Sequence, residues 1–353
     1  MGPRVLITNH TGHQPHHGCR ATCHALERLI AERLKPREMV TERHSQKYNT
    51  ATMYFGAPGL ARRAAHMQYS ASYAAYRAAD LIVVNGEGSI YSKDWTRNGA
   101  SSNQRRVDAY LAKKFLGKRV YIVNHTVASC HQRFDNFIKT AYPLLDYIAV
   151  REPLSLEYLA ALGVENARQA ADAIFSLEPP PPAPESPLAG KILVSDSSSW
   201  SGWSGPRKQR AQDSIAYLRR QKLDVAYLSI YTDGRDAYFA RELGLEYHSF
   251  ENFTDFMAHM QTAAFILSGR FHIAVFAALC ATPFLGFEAN THKIRGLSRL
   301  LNHPCPPLDF FRDDFDSIVG AIARALAAKD ELREKLIGMR PRLRELALRN
   351  VPD

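Results

Sequence analysis

The stretch Phe265-Ile-Leu-Ser-Gly-Arg-Phe-His-Ile-Ala274 indicates the architecture of the whole chain. A short apolar strand, 265–267, is followed after Gly269 by an apolar helix, 272–280. A continuous apolar run without alternation indicates a strand covered on both faces, as in a parallel sheet. Arg270 and His272 are the polar exceptions and lie where strand gives way to helix. The stretch therefore predicts a βα unit with two ionisable side chains where the strand joins the helix.

Similar units occur throughout the second half of the chain. Further strands are predicted at 191–194, 225–230 and 283–286, with helices at 207–221 and 253–261. The first half repeats the pattern, with a helix at 21–34 and strands at 4–8, 80–85, 119–123 and 147–150. Strands alternating with helices predict two α/β domains, each doubly wound and Rossmann-like, facing a cleft.

The two halves are separated by a proline-rich segment. Clustered prolines between Glu178 and Gly190 predict an extended connector, because proline neither donates to a sheet nor continues a helix. We therefore expect an N-terminal domain at 1–178, a linker at 179–190 and a C-terminal domain at 191–353. Residues 315–349 predict a closing pair of amphipathic helices.

Composition excludes several classes of protein. The chain has 353 residues, of which 46% are hydrophobic and 23% charged, which excludes disorder and fibrous repeats. Five cysteines are too few for a disulfide scaffold, and neither a secretory signal nor a membrane-spanning segment is visible, so a cytoplasmic location is predicted. The net charge of +10 suits an anionic ligand and permits peripheral contact with the inner face of an anionic membrane. No nucleic-acid-binding motif is present, so no nucleic-acid partner is expected.

Four loops at predicted strand ends carry the candidate chemistry. The first, after strand 4–8, holds His13, His16, His17 and Gly18. It suggests an anion-facing helix start, a zinc site with Cys19 and Cys23 whose spacing matches no standard zinc motif, or a solvated loop without a functional role.

The second loop is Gly86-Glu87-Gly88-Ser89, where Glu87 suits a general base, a ligand for sugar hydroxyls or a structural carboxylate. The third loop, 195–205, combines serines with Trp200 and Trp203, a pattern typical of carbohydrate surfaces.

The fourth loop carries Arg270 and His272. An arginine can clamp a phosphate or carboxylate, and a histidine titrates close to neutrality and can transfer a proton.

Together, these motifs resemble the polysaccharide pyruvyl transferase family. The resemblance rests on Ser268 to Pro283 with Lys293 beyond it, on the Gly86–Ser89 loop, on Arg151 to Ser155, and on Ala171 to Phe175. It implies a glycosyltransferase-B-like fold and transfer of pyruvate from phosphoenolpyruvate, a co-substrate, onto two hydroxyls of a sugar to form a cyclic ketal. No cofactor or metal is expected, because arginines can carry the anion.

The resemblance, together with the chemistry of the four loops, suggests roles for individual residues; Glu87 and the histidine-rich first loop depart from the family pattern and are placed on the acceptor side. Catalytic roles are assigned to His272 as the acid, Arg270 and Glu87. The donor would be bound by Arg270, Lys293, Ser268 and Ser198. The acceptor, a sugar, oligosaccharide or lipid-linked glycan, would be bound by Asn9, His13, His17, Gly18, Glu87, Trp200 and Trp203. Arg151 suits either a ligand contact or a brace between domains.

Two alternatives remain from sequence alone. One is a glycosyltransferase of the same architecture that uses a nucleotide-activated sugar with Glu87 as base. The other is a carbohydrate-binding or regulatory protein that keeps the fold without catalysis.

Overall fold

The structure is a computed structural model that describes residues 2–43, 71–90, 110–129, 132–197, 206–310 and 312–353. The chain forms two compact units. Unit 1 comprises Met1–His13, Thr22–Ser176 and Glu345–Asp353, and unit 2 comprises Gln14–Ala21 and Leu177–Arg344.

Unit 1 is built on a parallel sheet. Its strands are β1 (Arg4–His10), β2 (Glu38–Arg43), β3 (Leu81–Asn85), β4 (Ser89–Ile90), β5 (Arg119–Val127), β6 (Tyr147–Val150) and β7 (Ala167–Gln169). The order is β2-β1-β3-β5-β6-β7, and β4 pairs with the end of β5. Every pairing is parallel, which explains why the strands lack polar alternation.

Four helices that accompany this sheet lie entirely within the described ranges. They are α1 (His17–Leu34), α2 (Ala71–Ala78), α3 (Gln132–Ala141) and α4 (Pro153–Ala161). Helix α4 shows how the sequence sets an element boundary: Glu152 is its N-cap and accepts a hydrogen bond from the Ser155 backbone N–H at 3.1 Å, with Pro153 in the first turn. Short 3₁₀ turns follow at Tyr142–Leu144 and Ala173–Ser176.

A buried ion pair stabilises the end of unit 1's sheet. Arg151 Nη1 lies 2.9 Å from Asp172 Oδ2, both side chains are 1% exposed, and Arg151 Nε donates to Thr126 at 3.1 Å. All three residues belong to unit 1. Arg151 therefore acts as an internal brace of this unit.

Unit 2 contains a second parallel sheet. Its strands are β8 (Ile192–Ser197), β9 (Val225–Leu228), β10 (Glu246–His248), β11 (Phe265–Gly269) and β12 (Phe284–Gly286), in the order β10-β9-β8-β11-β12. Its helices are α5 (Pro206–Arg220), α6 (Ala237–Glu242), α7 (Phe253–Met260), α8 (Phe271–Cys280), α9 (Lys293–Leu300), α10 (Phe315–Ala327) and α11 (Lys329–Leu348). Every residue of α8 is buried, as its apolar sequence predicts.

The predicted fold class is confirmed, since both units are α/β with parallel sheets. Two helices, α10 and α11, occupy the region 315–349, where a pair of helices is predicted. The first helix begins at His17, earlier than the predicted residue 21. Among the described residues, no helix is both long and apolar enough to cross a membrane.

The division of the chain differs from the sequence-based one in three places. Residues 14–21 group with unit 2, and residues 345–353 group with unit 1. The proline-rich segment also belongs to unit 2, because Ala183 N–H donates to the Ala258 carbonyl at 3.0 Å and Gln261 donates to the Pro180 carbonyl at 2.7 Å. It is therefore docked on α7 rather than being an independent linker.

The carboxyl-terminal segment is part of unit 1 because of its hydrogen bonds. Asn350 is fully buried, accepts from the Asn124 backbone N–H at 2.8 Å and donates to the Ala171 carbonyl at 2.8 Å. These bonds connect positions more than 170 residues apart in sequence, so no local pattern could reveal them.

Candidate functional site

The carboxyl ends of β8 and β11 form the topological switch point of unit 2. The chain runs from β8 to β9 on one side of the sheet and from β11 to β12 on the other. In open parallel sheets, ligands bind at such a point. Asp196 near the end of β8 and Arg270 directly after β11 lie there.

Gly269 allows these two strand ends to approach closely. A Cβ at this position would lie 2.3 Å from the Cβ of Ser197, a separation that no side chain tolerates. The register between β11 and β8 also shifts between Leu267 and Gly269. The glycine of the Ser-Gly-Arg motif is thus required by packing.

Arg270 and Asp196 form a buried ion pair at this edge. Arg270 Nε donates to Asp196 Oδ1 at 2.7 Å, and Nη2 donates to Oδ2. The Asp196 side chain is 0% exposed and that of Arg270 is 18% exposed. Side-on pairing occupies Nε and one Nη2 hydrogen, and no other residue in the described ranges accepts from the end-on edge of the guanidinium, Nη1 and Nη2, which can therefore bind an anion.

Ser268 contributes to the same turn through its hydroxyl. Its Oγ accepts a hydrogen bond from the Arg270 backbone N–H at 3.0 Å, and the side chain is buried. The predicted donor-binding residue Ser268 is therefore placed beside Arg270, with its oxygen engaged in shaping the turn.

Tyr231, just beyond β9, has two guanidinium groups near its ring. The Arg270 Cζ is 5.2 Å and the Arg235 Cζ 4.9 Å from the centroid of its ring. Cations at these distances are attracted to the electron-rich face of an aromatic ring. Arg235 is also paired with Asp233, through Nη2 and Oδ2 at 2.6 Å.

Asp236 anchors the loop that carries Tyr231. It is 2% exposed and accepts from the Ser229 hydroxyl at 2.7 Å and the Tyr247 hydroxyl at 3.1 Å. Burial raises the pKa of this carboxyl. The hydroxyls compensate its desolvation and hold the loop at the strand ends.

His272 lies in the first turn of α8 and is packed against the start of α1. A Cβ at Gly18 would lie 2.2 Å from His272 Cγ and 2.3 Å from Nδ1. On another side the His272 ring meets the His16 ring edge-on, with centroids 5.5 Å apart. Gly18 thus permits the close approach that places His16 beside His272 in unit 2.

Positive charge surrounds His16. Burial lowers the pKa of His16 to about 3, and Arg270, His17, Lys293 and Arg235 lower it further in that order. A histidine whose protonation is opposed by three Arg and Lys side chains marks a basic environment, in which Arg270 and Arg235 are also paired with Asp196 and Asp233. This end of unit 2 is therefore electrostatically suited to an anion.

The other members of the first loop are placed differently. His17 is fully buried, with its ring centroid 4.8 Å from that of Phe256, and burial lowers its pKa to about 4. His13 is exposed and belongs to unit 1. Of the histidines in this loop, the structure brings His16 to His272, whereas the sequence analysis favoured His13 and His17 for ligand binding.

Glu87 lies at the corresponding edge of unit 1, beside the ends of β1 and β3. It is 6% exposed and accepts a hydrogen bond from the Thr11 hydroxyl. Asn9, with a left-handed φ of 56°, donates to the Asn85 carbonyl at 2.6 Å. Both predicted acceptor residues, Asn9 and Glu87, therefore meet at the switch point between β1 and β3.

His10 forms a charged cluster near this edge. Its Nε2 lies 2.8 Å from Glu27 Oε1, and hydrogen bonds with Cys23 and then Glu27 raise its pKa to about 10. The Cys23 sulfur also accepts from the Thr11 backbone N–H at 3.2 Å. His10, at the end of β1 in unit 1, is thus an imidazolium, whereas His16, in the loop that follows, is a neutral imidazole in unit 2.

The remaining predicted residues fall into two groups. Lys293 is the first residue of α9 and contributes to the positive environment of His16. Ser198, Trp200 and Trp203 lie outside the described residues. Within the described part of the chain, no group of three or more His, Cys, Asp or Glu side chains is arranged to hold a metal ion.

Asp196, Tyr231 and Arg235 are site residues that no sequence pattern predicted, and His16 was predicted only as a member of the first loop. Asp196 and Tyr231 both follow predicted strands, so the rule that ligands bind at strand ends could have included them. Nothing local indicates His16, because its neighbours at the site are more than 200 residues away in sequence.

A family model described as polysaccharide pyruvyl transferase matches residues 16–290 of the chain. No curated protein sequence matches the chain significantly.

Similar solved structures show the fold. UDP-GlcNAc 2-epimerase from Neisseria meningitidis, bound to UDP-GlcNAc, is 12% identical with a TM-score of 0.56 and coverage of 94% of both chains. A glycotransferase of kitacinnamycin is 12% identical with a TM-score of 0.56, covering 98% of this chain and 96% of its own. MurG from Acinetobacter baumannii is 10% identical with a TM-score of 0.51, covering 96% of this chain and 95% of its own. The chain accordingly has a glycosyltransferase-B-like fold.

Proposed function

Because the chain belongs to the polysaccharide pyruvyl transferase family, we propose that it transfers pyruvate from phosphoenolpyruvate to two hydroxyls of a sugar or glycan acceptor, forming a cyclic ketal. The observation that carries this proposal is the positive environment at the switch point of unit 2. Arg270, Lys293 and Arg235 all lower the pKa of His16 there, and the His16 ring touches His272. A carboxylate and a phosphate on one small molecule match such a site.

The proposed reaction begins with a proton from His272 to the methylene carbon of the enolpyruvate. The resulting oxocarbenium-like centre is attacked by one acceptor hydroxyl, which loses its proton to a base. Inorganic phosphate then leaves, and the second hydroxyl closes the ketal ring with loss of its own proton. Phosphoenolpyruvate and the acceptor are thus converted to the cyclic ketal and inorganic phosphate, with no other product.

Each charged residue has a distinct part in this scheme. The end-on edge of Arg270 binds the carboxylate or phosphate, while Asp196 holds the guanidinium in place. Lys293 adds positive charge to the departing phosphate. These cations stabilise the anion in the way that a metal does in other phosphate-transfer sites. Glu87 in unit 1 is proposed as the base on the acceptor side.

The first test is binding of phosphoenolpyruvate by titration calorimetry, with UDP, GDP and CMP as competing probes. We expect the purified protein to bind phosphoenolpyruvate and the Arg270→Lys variant to bind it at least tenfold more weakly, because lysine lacks the planar fork. Arg312→Lys is the matched control, since that side chain is 87% exposed. Binding of one nucleotide, without phosphoenolpyruvate binding, would instead support a glycosyltransferase.

The second test is turnover. Phosphate release from phosphoenolpyruvate is measured with a panel of sugars and glycans as acceptors, and the product is analysed for the ketal by mass spectrometry. We expect His272→Asn to retain donor binding and to lose roughly 10²–10⁴-fold in rate, the usual contribution of a general acid. Unchanged turnover in this variant would remove His272 as the proton donor.

A further inference from the structure

His16 is the N-cap of helix α1. The helix begins at His17, and the backbone N–H of Cys19, its third residue, donates to His16 Nδ1 at 3.2 Å. This is the bond by which a capping side chain satisfies an otherwise unpaired amide of the first turn. The cap fixes the direction of the imidazole ring.

The loop that carries His16 is attached to the end of β9. His17 N–H donates to the Ile230 carbonyl at 3.0 Å, and Thr232 N–H donates to the Pro15 carbonyl at 3.1 Å. His16 itself forms an isolated antiparallel bridge with Tyr231. These backbone bonds fix the position of His16, and the cap fixes the direction of its ring, so neither depends on a bound ligand.

The cap also selects the tautomer. A neutral imidazole has one donor and one acceptor nitrogen, so Nδ1, which accepts from Cys19, leaves the proton on Nε2. Burial and the neighbouring cations keep the ring neutral, because they lower its pKa to about 3. His16 thus carries an N–H donor without carrying a charge.

The surroundings of His16 indicate what this donor binds. The ring lies 5.0 Å from Tyr231 and 5.5 Å from His272, centroid to centroid. Arg270, Lys293 and Arg235 are close enough to act on it electrostatically. Within the part of the chain that the structure describes, no group accepts a hydrogen bond from Nε2. A donor placed among cations is suited to an anionic oxygen.

We propose that His16 is a donor-binding residue, whose neutral Nε2–H hydrogen-bonds an anionic oxygen, carboxylate or phosphate, of the substrate held by Arg270. This inference rests on the proposed function. The two histidines then have separate roles. His272 donates the proton, and His16 binds the anion and, being neutral, does not act as an acid. A neutral histidine of lowered pKa that donates to a substrate oxygen has a precedent in enzyme catalysis.

The decisive variant is His16→Asn. Asparagine is among the best N-caps, so the helix start is kept. When its Oδ1 takes the place of Nδ1 as the acceptor, its NH2 group takes the place of Cδ2 of the imidazole, one bond short of Nε2. We expect phosphoenolpyruvate to bind 10–100-fold more weakly, measured by calorimetry on the full chain. The matched control is His24→Asn on helix α1, an exposed histidine that should bind phosphoenolpyruvate as the wild type does.

Pyruvate and inorganic phosphate, used as separate probes, identify the oxygen. Weaker phosphate binding in the variant assigns Nε2–H to the phosphate, and weaker pyruvate binding assigns it to the carboxylate. Equal affinity of wild type and His16→Asn for all three probes would overturn the inference and leave the proposed function standing. If the wild type binds phosphate but not phosphoenolpyruvate, the proposed function fails, and the phosphate comparison still decides the role of His16.

A second measurement concerns the tautomer. Histidine ¹⁵N spectra of the wild type, with His16→Asn for assignment, should show a neutral Nε2–H ring that does not titrate between pH 7 and 5. A ring that titrates near pH 6.5, or one protonated on Nδ1, would contradict the inference without reference to activity.

Discussion

Replacing Gly18 with alanine tests the packing that places His16 beside His272. A Cβ at this position would lie 2.2 Å from Cγ, 2.3 Å from Nδ1 and 2.4 Å from Cβ of His272. Ordinary carbon contacts are about 3.5–4.0 Å, so the His272 ring or the start of α1 must move by about 1 Å or more.

The expected cost has two parts. Overpacking of a well-packed site costs about 1–3 kcal/mol of stability. A misplacement of about 1 Å at a catalytic group lowers the rate by roughly 10²-fold. We therefore expect Gly18→Ala to unfold at lower urea concentration than wild type and to release phosphate from phosphoenolpyruvate about 100 times more slowly.

The control is Gly338→Ala. Gly338 lies inside helix α11, where a Cβ would have no atom within 4 Å and the backbone has no left-handed φ. Alanine in a helix interior is more stable than glycine by about 0.5–1 kcal/mol, so this variant should gain stability and keep full turnover. A gain of stability in Gly18→Ala like that of Gly338→Ala, or wild-type turnover in Gly18→Ala, would contradict a close contact between Gly18 and His272.

Three further predictions concern charge and pH. Asp196→Asn should cost about 3–5 kcal/mol in urea unfolding, because it leaves the Arg270 charge partly buried without its partner; a loss below 1 kcal/mol would show that the pair contributes little. The raised pKa of His10 contributes its full share to the free energy of unfolding below pH 6.5, and this contribution should be lost between pH 6.5 and 10. In His10→Gln this loss should be absent. The lowered pKa values of His16 and His17 act oppositely: below pH 6.5 the unfolded chain binds protons that the folded chain does not. His16 and His17 should therefore each lower the free energy of unfolding by up to about 1.4 kcal/mol per pH unit as pH falls toward 4. Urea unfolding of His17→Phe should accordingly depend less on pH in this range.

The architecture was predictable because its signals are local. Strands such as β3 and β11 are continuous apolar runs, and a parallel sheet needs no information beyond those runs and the helices between them. Arg270 and His272 were predictable as site residues for the same reason, since they directly follow a strand. The short sequence around them also carries the family resemblance.

The composition of the site was not predictable in this way. Asp196 and Arg270 are 74 residues apart, and their pairing depends on β8 and β11 becoming neighbours in the sheet. His16 joins His272 only because the loop before α1 bonds to the end of β9 in unit 2. His17, its neighbour in sequence, is instead buried against Phe256.

Local sequence therefore accounts for which segments form strands and helices, and for where the polar residues lie at strand ends. The folded chain accounts for which imidazole is charged, which is neutral and which faces the site. The physical reason is that propensity and periodicity act over a few residues, whereas burial, electrostatic fields and hydrogen-bond partners come from residues brought together over hundreds of positions. His16 illustrates this, because burial and cations more than 200 positions away, such as Arg270, lower its pKa to about 3. His10, six positions earlier at the end of β1, has nearer partners: hydrogen bonds with Cys23 and Glu27 raise its pKa to about 10.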